Sequence, residues 1–274
     1  METPAISVKA EHVNPDHVTA ERISSSAASR KSSTPASHRF LQRYFYFVMS
    51  LLLATLVVSG FQRTVNANLF HPAIPRPMIL WFHAAAFAAW ILFFIAQSTL
   101  VRIRKVAWHR VIGWFGAGLA AVMVLLGVTT AIVMARFDTF RLHQTGADAF
   151  LSVPFYDMLT FGTLVGLAIL WRKRPEFHRR LIFIATCGLM DAPLGRFDLI
   201  FDNSLFYLCI DLMILLGVAR DFYLERGSLV EKAQRVHKVY LYALPLLIVG
   251  QSLTLYLWRH NPAWWQEITH VIMG

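Results

Sequence analysis

The sequence predicts an all-α membrane protein, a seven-transmembrane-helix bundle with a cytoplasmic N-terminus and an external C-terminus. Three observations lead to this fold class. Seven apolar runs follow one another along the 274 residues, and a helix needs about 20 apolar residues to cross a hydrocarbon core of about 30 Å. The chain is only 15% charged, whereas soluble domains carry about 25% charged residues. Lysine and arginine are also concentrated in every second loop.

The predicted crossings are apolar segments joined by polar loops. Five of them are long, whereas the fifth and sixth in chain order are shorter and each contains an aspartate. An even number of crossings would break the alternation of loop charges, so that alternation supports the count of seven. The segments are Tyr44–Phe61, Met78–Val101, Val111–Ala135, Phe150–Trp171, Leu181–Gly195, Ser204–Val218 and Val239–Trp258.

The first 40 residues have a different composition from the rest of the chain. They are rich in Ser, Ala, Pro and His and contain no apolar run. Because such segments cannot bury enough apolar surface to fold, we expect residues 1–40 to be a disordered cytoplasmic tail. The transmembrane domain is then residues 41–274.

The distribution of basic residues predicts the orientation of the chain. Of the 26 lysines and arginines, 20 lie in the N-terminal tail and three alternate loops, and six lie in the loops between. Basic loops stay in the cytoplasm, which places the chain in a cell inner membrane with these loops against anionic lipid headgroups. The lipid bilayer thus explains the formal charge of +10, and no nucleic-acid partner is expected.

A histidine followed by a basic residue recurs before each outward-running helix. His109 precedes the third run and His178 the fifth. One interpretation places these side chains at the headgroup boundary, where amphipathic groups reach water. The other is ligation of haem b or a metal by His109 and His178, because haem held by two imidazoles needs two histidines at equal depth on facing helices. The remaining junctions are His38-Arg39 and His237-Lys238.

Four titratable residues inside apolar runs lie at a common level, about 7–11 Å from the outer ends of their helices at 1.5 Å per residue. They are His83, Asp157, Asp191 and Asp211. A charge in hydrocarbon is destabilising by a few kcal/mol, so such groups face the interior of a bundle and pair or function there. Together with Arg196, they predict a polar cavity in the outer half of the bundle that binds a ligand or protons.

The stretch from Asp191 to Arg196 is the predicted wall of this cavity. Pro193 and Gly195 should break the helix just after Asp191, and broken helices at membrane depth are tolerated where they line a cavity. In a competing interpretation, Arg196 forms an ion pair with Asp191 or Asp211 and only holds the bundle together. One imidazole and three carboxylates would suit a hard or borderline divalent ion, but their spacing forms no metal motif, so the metal content stays open.

Three functions fit these patterns. The first is binding or movement of a small solute or protons, with Asp191 and Asp211 titrating, Arg196 holding an anion and His83 as the proton partner. The second is a redox protein that holds haem b or quinone, and the third is a structural or assembly protein without a ligand. The phosphate-binding loop, the dinucleotide fingerprint, HExxH and GxSxG are all absent from the sequence, and these motifs mark common enzyme chemistries. The sequence therefore favours a protein that is not an enzyme.

Two junction motifs carry a resemblance to known proteins. They are Trp108-His109-Arg110 followed by Gly113, and the run Glu-Phe-His-Arg-Arg-Leu at 176–181. Over roughly residues 78–220 the chain resembles bacterial multi-pass inner-membrane proteins of about seven helices and unknown function, which implies the fold and location but no activity. More distantly, it is similar to the diheme b-type cytochromes of membranes, which set histidines on packed helices.

Overall fold

All regular secondary structure is helical in the computed structural model, which describes residues 36–225 and 236–274. The predicted all-α class is therefore confirmed. A π-helical turn, Asn66–Phe70, precedes the second long helix. The α-helices are α1 Ala36–Phe61, α2 Ile79–Arg102, α3 Val106–Phe140, α4 Ala147–Phe150, α5 Ser152–Leu170, α6 Pro175–Gly188, α7 Asp191–Leu194, α8 Asp198–Asp202, α9 Phe206–Glu225, α10 Lys238–His260 and α11 Ala263–Met273.

Helix α1 begins earlier than the sequence predicts. Its first residue is Ala36, so the end of the predicted disordered tail, residues 36–40, is helical. An apolar run marks the part of a helix suited to lipid and not the end of the helix, which explains the difference. Residues 1–35 and the side chain of His38 lie outside the described residues.

Five helical segments are long and apolar enough to cross a membrane. Their outer surfaces carry exposed leucines, for example Leu125, Leu159 and Leu246 at 68%, 69% and 72% exposure. Large contiguous apolar surfaces of this kind are unusual on soluble monomers, and they suit lipid. The chain thus has the character of an integral membrane protein. The five segments are Arg39–Phe61, Ile79–Arg102, Val106–Phe140, Ala147–Leu170 and Lys238–His260.

The other two predicted crossings fall on helices of a different kind. Helix α6 has 14 residues and therefore spans about 21 Å at 1.5 Å per residue, less than a hydrocarbon core. Helix α9 has 20 residues, but it includes Asp211, Arg220 and Asp221. Length and composition together therefore support five crossings, and the count of seven stays a prediction.

The fifth predicted crossing is broken at a different place from the one expected. Helix α6 ends at Gly188 and a new short helix, α7, begins at Asp191, so the break lies before Asp191 and not just after it. The cause is Pro193, whose ring would clash with the carbonyl group four residues earlier in a continuous helix. Within α7 the proline lies in the first turn, where its missing N–H group has no partner to lose.

Helix α6 lies at the centre of the bundle, and its apolar residues are almost completely buried. Phe183 is 0% exposed and Ile184 1%. The ring of Phe45 on α1 packs against the ring of Phe183 with 5.7 Å between centroids. On the other side, Trp90 Nε1 of α2 donates to Thr186 Oγ1 at 3.3 Å. These contacts place α1 and α2, from the first half of the chain, against α6 in its second half.

At one end of the bundle, charged side chains form an ion-pair cluster of Glu176, Arg180, Arg220 and Asp221, of which the last three are buried. Arg180 Nε donates to Asp221 Oδ2 at 2.7 Å, and Arg220 Nη1 donates to Asp221 Oδ1 at 2.8 Å. Arg180 Nη1 also donates to Glu176 Oε2 at 2.6 Å. Because Arg180 is in the first half of α6 and Asp221 is near the end of α9, these bonds hold the two helices antiparallel. Arg220 Nε reaches the carbonyl of Leu41 on α1 at 3.4 Å.

Two of these arginines are not where the sequence places them. Arg180 and Arg220 belong to the predicted basic loops that face lipid headgroups, but they are 3% and 4% exposed. Asp221 binds both of them inside the protein, and Glu176 supplies the second negative charge. The pattern of charges along the chain does not reveal this pairing, because Arg180 and Asp221 are 41 residues apart.

Replacing Asp221 by asparagine tests the importance of the cluster. We expect Asp221→Asn to lower the free energy of unfolding by about 3–5 kcal/mol, the range found when one partner of a buried ion pair is removed. Arg220 would lose its counter-charge, and Arg180 would keep only Glu176. The measurement is unfolding of the purified chain in micelles, followed by tryptophan fluorescence. The control is Asp198→Asn at an exposed aspartate, which should change stability by less than about 0.5 kcal/mol. Equal effects of the two substitutions would refute the role of the cluster.

Candidate functional site

A cavity of about 180 Å³ lies among α2, α5 and the α7 turn. Four polar residues line it, His83 from α2, Asp157 from α5, and Asp191 and Arg196 from the two ends of the α7 turn. Pockets for drug-sized ligands are about 300–1,000 Å³, so this cavity suits a few waters or a solute of few heavy atoms. The rest of the lining is mainly apolar and includes Phe87, Phe150, Val153, Met158, Phe201 and Phe206.

The cavity and the ion-pair cluster lie at opposite ends of the bundle. Helix α1 touches both, through Leu41 at the cluster and through Gly60 at the α7 turn. At 1.5 Å per residue these two positions are about 28 Å apart, close to the thickness of a hydrocarbon core. We refer to the two regions as the cavity end and the ion-pair end.

Gly60 allows α1 to pack directly against the wall of the cavity. A Cβ atom at this position would lie 2.3 Å from the carbonyl oxygen of Pro193 and 2.8 Å from its Cα. Both contacts are with backbone atoms, which cannot rotate away. The absence of a side chain at Gly60 therefore lets the turn that carries Asp191 and Arg196 sit close to α1.

Asp157 and Asp191 form a pair of carboxyl groups within hydrogen-bonding reach of each other. Asp157 is 7% exposed, and Tyr207 donates its hydroxyl hydrogen to Asp157 Oδ1 at 3.1 Å. Two bare carboxylates at this separation repel each other, so such pairs hold one proton between them. The cavity therefore contains a group that can give up or accept a proton.

Arg196 has no carboxylate partner within 4.0 Å in the described part of the chain. Its Nη1 donates to the carbonyl of Ala192, and its guanidinium carbon lies 4.4 Å from the centroid of the Phe61 ring. Its Nε is buried and without a hydrogen-bond partner. The alternative in which Arg196 forms an ion pair with Asp191 or Asp211 is therefore wrong. A positive charge instead faces the cavity unneutralised by direct contact.

His83 is held in place mainly by stacking. Its ring lies on Phe87, with 4.1 Å between centroids and 25° between planes. Its Nδ1 is buried without a hydrogen bond of normal geometry. The imidazole is within electrostatic reach of Arg196, so these two side chains occupy the same part of the cavity wall.

Asp211 lies at the predicted depth range but does not line the cavity. Gln251 Nε2 of α10 donates to its Oδ1 at 3.1 Å. Positions along a helix give the level of a side chain, whereas the neighbour that it meets depends on how the helix is packed. Here α9 packs beside α10, and Asp211 is satisfied there. The structure thus brings together four of the five predicted residues, and Asp211 is not among them.

The structure also brings the two central histidine junctions together, at the ion-pair end. The rings of His109 and His178 have centroids 6.1 Å apart and planes at 82°, and His178 Nδ1 hydrogen-bonds to the carbonyl of Ala168 at 2.9 Å. Within the described residues no three His, Cys, Asp or Glu side chains are placed to hold a metal ion. Ligation of haem by this pair stays a hypothesis.

The junction histidine before α10 has a local structural role. His237 Nδ1 accepts a hydrogen bond from the backbone N–H of Val239 at 3.2 Å, which caps the helix. Burial and the charge of Arg180 lower the pKa of His237 below its ordinary value. A neutral imidazole with a free nitrogen lone pair is the form that can accept this bond.

Sequence reasoning does not identify two residues that shape the site. Tyr207 orients Asp157, and Gly60 admits the α7 turn. A tyrosine or a glycine inside an apolar run is ordinary in membrane helices, so neither stands out. The one available signal was that Tyr207 precedes Asp211 by a single helical turn on a segment already noted for its buried acid.

Comparison with known proteins gives no information about function, so the proposed function is argued from the cavity. No protein-family model, no curated protein and no solved structure matches this chain. The resemblance to bacterial multi-pass membrane proteins therefore stays a prediction.

Adding a methyl group at Gly60 tests how the cavity wall is positioned. We expect Gly60→Ala to destabilise the protein by about 1–3 kcal/mol, the usual effect of overpacking, because the Pro193 backbone must move. The control is Gly118→Ala in α3, where a Cβ meets nothing within 4 Å and where alanine should be neutral or stabilising by about 0.5–1 kcal/mol. Thermal unfolding of both variants in micelles gives the comparison. A neutral Gly60→Ala would mean that α1 and the α7 turn are not in close contact.

Infrared spectroscopy tests whether the acid pair shares a proton. We expect the carbonyl stretch of a protonated carboxyl group in the wild-type spectrum at neutral pH. Asp157→Asn and Asp191→Asn should each remove it, because either change leaves a single carboxylate with a neutral hydrogen-bond donor. Asp211→Asn, outside the cavity, is the matched control and should retain the band. Persistence of the band in both cavity variants would rule out the shared proton.

Proposed function

We propose that this chain is a bacterial inner-membrane protein that binds, and moves, a small polar solute together with protons. The observation that carries the proposal is the cavity, in which a pair of acids and an unpaired arginine face one small volume. Buried polar groups without a neighbouring partner lower the stability of the folded protein. Several such groups lining one cleft are typical of functional sites.

The proposal includes seven crossings, with the N-terminus in the cytoplasm and the C-terminus outside. The loop charges support this arrangement. Helix α9 is 20 residues long, and its charges are satisfied inside the protein, since Asp211 accepts from Gln251 and Asp221 binds Arg220. Charged residues paired in this way do not exclude a membrane-spanning helix. In this orientation the cavity lies in the outer half of the bundle, and α6 to α8 together make the fifth crossing.

Proton and solute binding are linked in this proposal through the acid pair. A charged or strongly polar solute that enters the cavity changes the electrostatic environment of Asp157 and Asp191, and binding of one ligand then changes binding of the other by the same factor. Tyr207 fixes the orientation of Asp157. His83 also lines the cavity and is a further group that can accept a proton.

The two alternative functions have less support. A redox role with haem b or quinone depends only on the meeting of His109 and His178. A purely structural role explains the ion-pair end well, but it gives no reason to leave the Arg196 guanidinium and the Asp157 carboxyl incompletely paired at the cavity end. Such groups would lower stability without a compensating contact.

Calorimetry on the full chain in lipid nanodiscs tests the proposed function. Glycine, acetate, methylammonium and glycerol serve as probes, and titration in two buffers of different ionisation enthalpy reports the protons exchanged. We expect at least one probe to bind with proton transfer, and we expect Asp157→Asn to abolish that transfer. Asp211→Asn should behave as wild type, and Ala192→Phe, which fills the cavity, should prevent binding. Absence of binding by every probe, or binding unchanged in Ala192→Phe, would refute the proposal.

A further inference from the structure

We propose that the solute is a small zwitterion, a molecule with an ammonium and a carboxylate group a few atoms apart, as in a small amino acid. This inference deepens the proposed function and depends on it. It follows from three properties of the cavity, namely the separation of its charged groups, its balance of charge and its unused hydrogen-bonding atoms.

The cavity is lined by groups of both signs that form no ion pair with each other. Asp157 and Asp191 are in contact with each other, and Tyr207 donates to the first of them. Arg196 follows the α7 turn that begins at Asp191; its guanidinium lies over the Phe61 ring and more than 4.0 Å from any carboxylate oxygen in the described residues. The acid pair and Arg196 line one volume of about 180 Å³, so a single small molecule can reach both.

The balance of charge favours a ligand without net charge. An acid pair that holds one proton carries a single negative charge, and Arg196 carries one positive charge, so the cavity is neutral as a whole. A purely anionic or cationic solute would leave an uncompensated charge among apolar walls, which is strongly unfavourable. A zwitterion adds no net charge and brings an opposite charge to the acid pair and to Arg196.

The unused hydrogen-bonding atoms match the two ends of such a molecule. Arg196 Nε is a buried donor without a partner, and Asp157 Oδ2 accepts no hydrogen bond in the described residues apart from any proton shared within the acid pair. A carboxylate can accept two parallel bonds from a guanidinium group, and an ammonium group donates three. A neutral polar solute such as glycerol would satisfy these atoms with weaker bonds.

The size and lining of the cavity limit the side chain of the ligand. The apolar wall formed by Phe87, Phe201 and Phe206 would accept a hydrogen atom or a short alkyl group. A further charged group on the ligand would meet this wall without a partner. Small zwitterions with an apolar or absent side chain are therefore the expected class.

Titration calorimetry with matched probes tests the inference. Glycine carries both charges, whereas acetate and methylammonium carry one each, and we expect glycine to bind about tenfold or more tightly than either. Arg196→Gln should weaken glycine binding by about tenfold or more, since it removes a charge-assisted hydrogen bond. The same change should strengthen methylammonium binding, because the cavity of the variant keeps only the negative charge of the acid pair, which the cation compensates. Arg259→Gln, at an arginine that binds Ser204 outside the cavity, is the matched control and should not affect glycine.

The possible failures are distinguishable. If acetate or methylammonium binds as tightly as glycine, or if Arg196→Gln leaves glycine binding unchanged, the zwitterion is refuted while the proposed solute site stands. If no probe binds, both the zwitterion inference and the proposed solute site are refuted. Unfolding midpoints of Arg196→Gln and wild type, measured on the same samples, show whether a loss of glycine binding reflects loss of the fold.

Discussion

The requirement that buried polar groups be paired governs this molecule, because neither lipid nor a packed helix core supplies hydrogen bonds. The two ends of the bundle meet the requirement differently. At the ion-pair end, Asp221 and Glu176 together neutralise Arg180 and Arg220 with short hydrogen bonds, and α1, α6 and α9 are joined as a result. At the cavity end, Arg196 and the carboxyl pair share a volume without binding each other. Full pairing stabilises the bundle, and incomplete pairing leaves groups available to a ligand.

This division connects the break in the fifth predicted crossing with function. Pro193 ends α6 at Gly188, and the chain then turns through α7 with Asp191 at its start and Arg196 just after it. A continuous helix would place these residues on successive turns of one rod. The turn instead places Asp191 and Arg196 in the lining of one cavity. Gly60 lets α1 pack directly against the backbone of this turn. The hydrogen bonds of Arg180 fix the first half of α6 at the ion-pair end, and the irregular α7 turn follows the other end of this helix.

The candidate site was predictable in part, and the limit has a physical cause. The depth of a residue follows from counting along an apolar run, so His83, Asp157 and Asp191 could be assigned to one level. Rotation about the helix axis and the choice of neighbouring helix do not follow from counting. For that reason Asp211, assigned to the same level, turns to Gln251 on α10. The role of Tyr207 depends on where Asp157 lies in space, so no local pattern could identify it.

The sequence by itself determined the all-α class and, of its seven predicted crossings, the five that are helices of membrane length. These properties depend on apolar length and on spacing along one segment, which are local. Only the tertiary structure decided that Arg180 pairs with Asp221, 41 residues away, that Arg196 remains without an acid partner, and that the helix breaks before Asp191. Those outcomes depend on the packing of several helices at once, and the energy of a buried charge is determined by the partner that the packing brings to it.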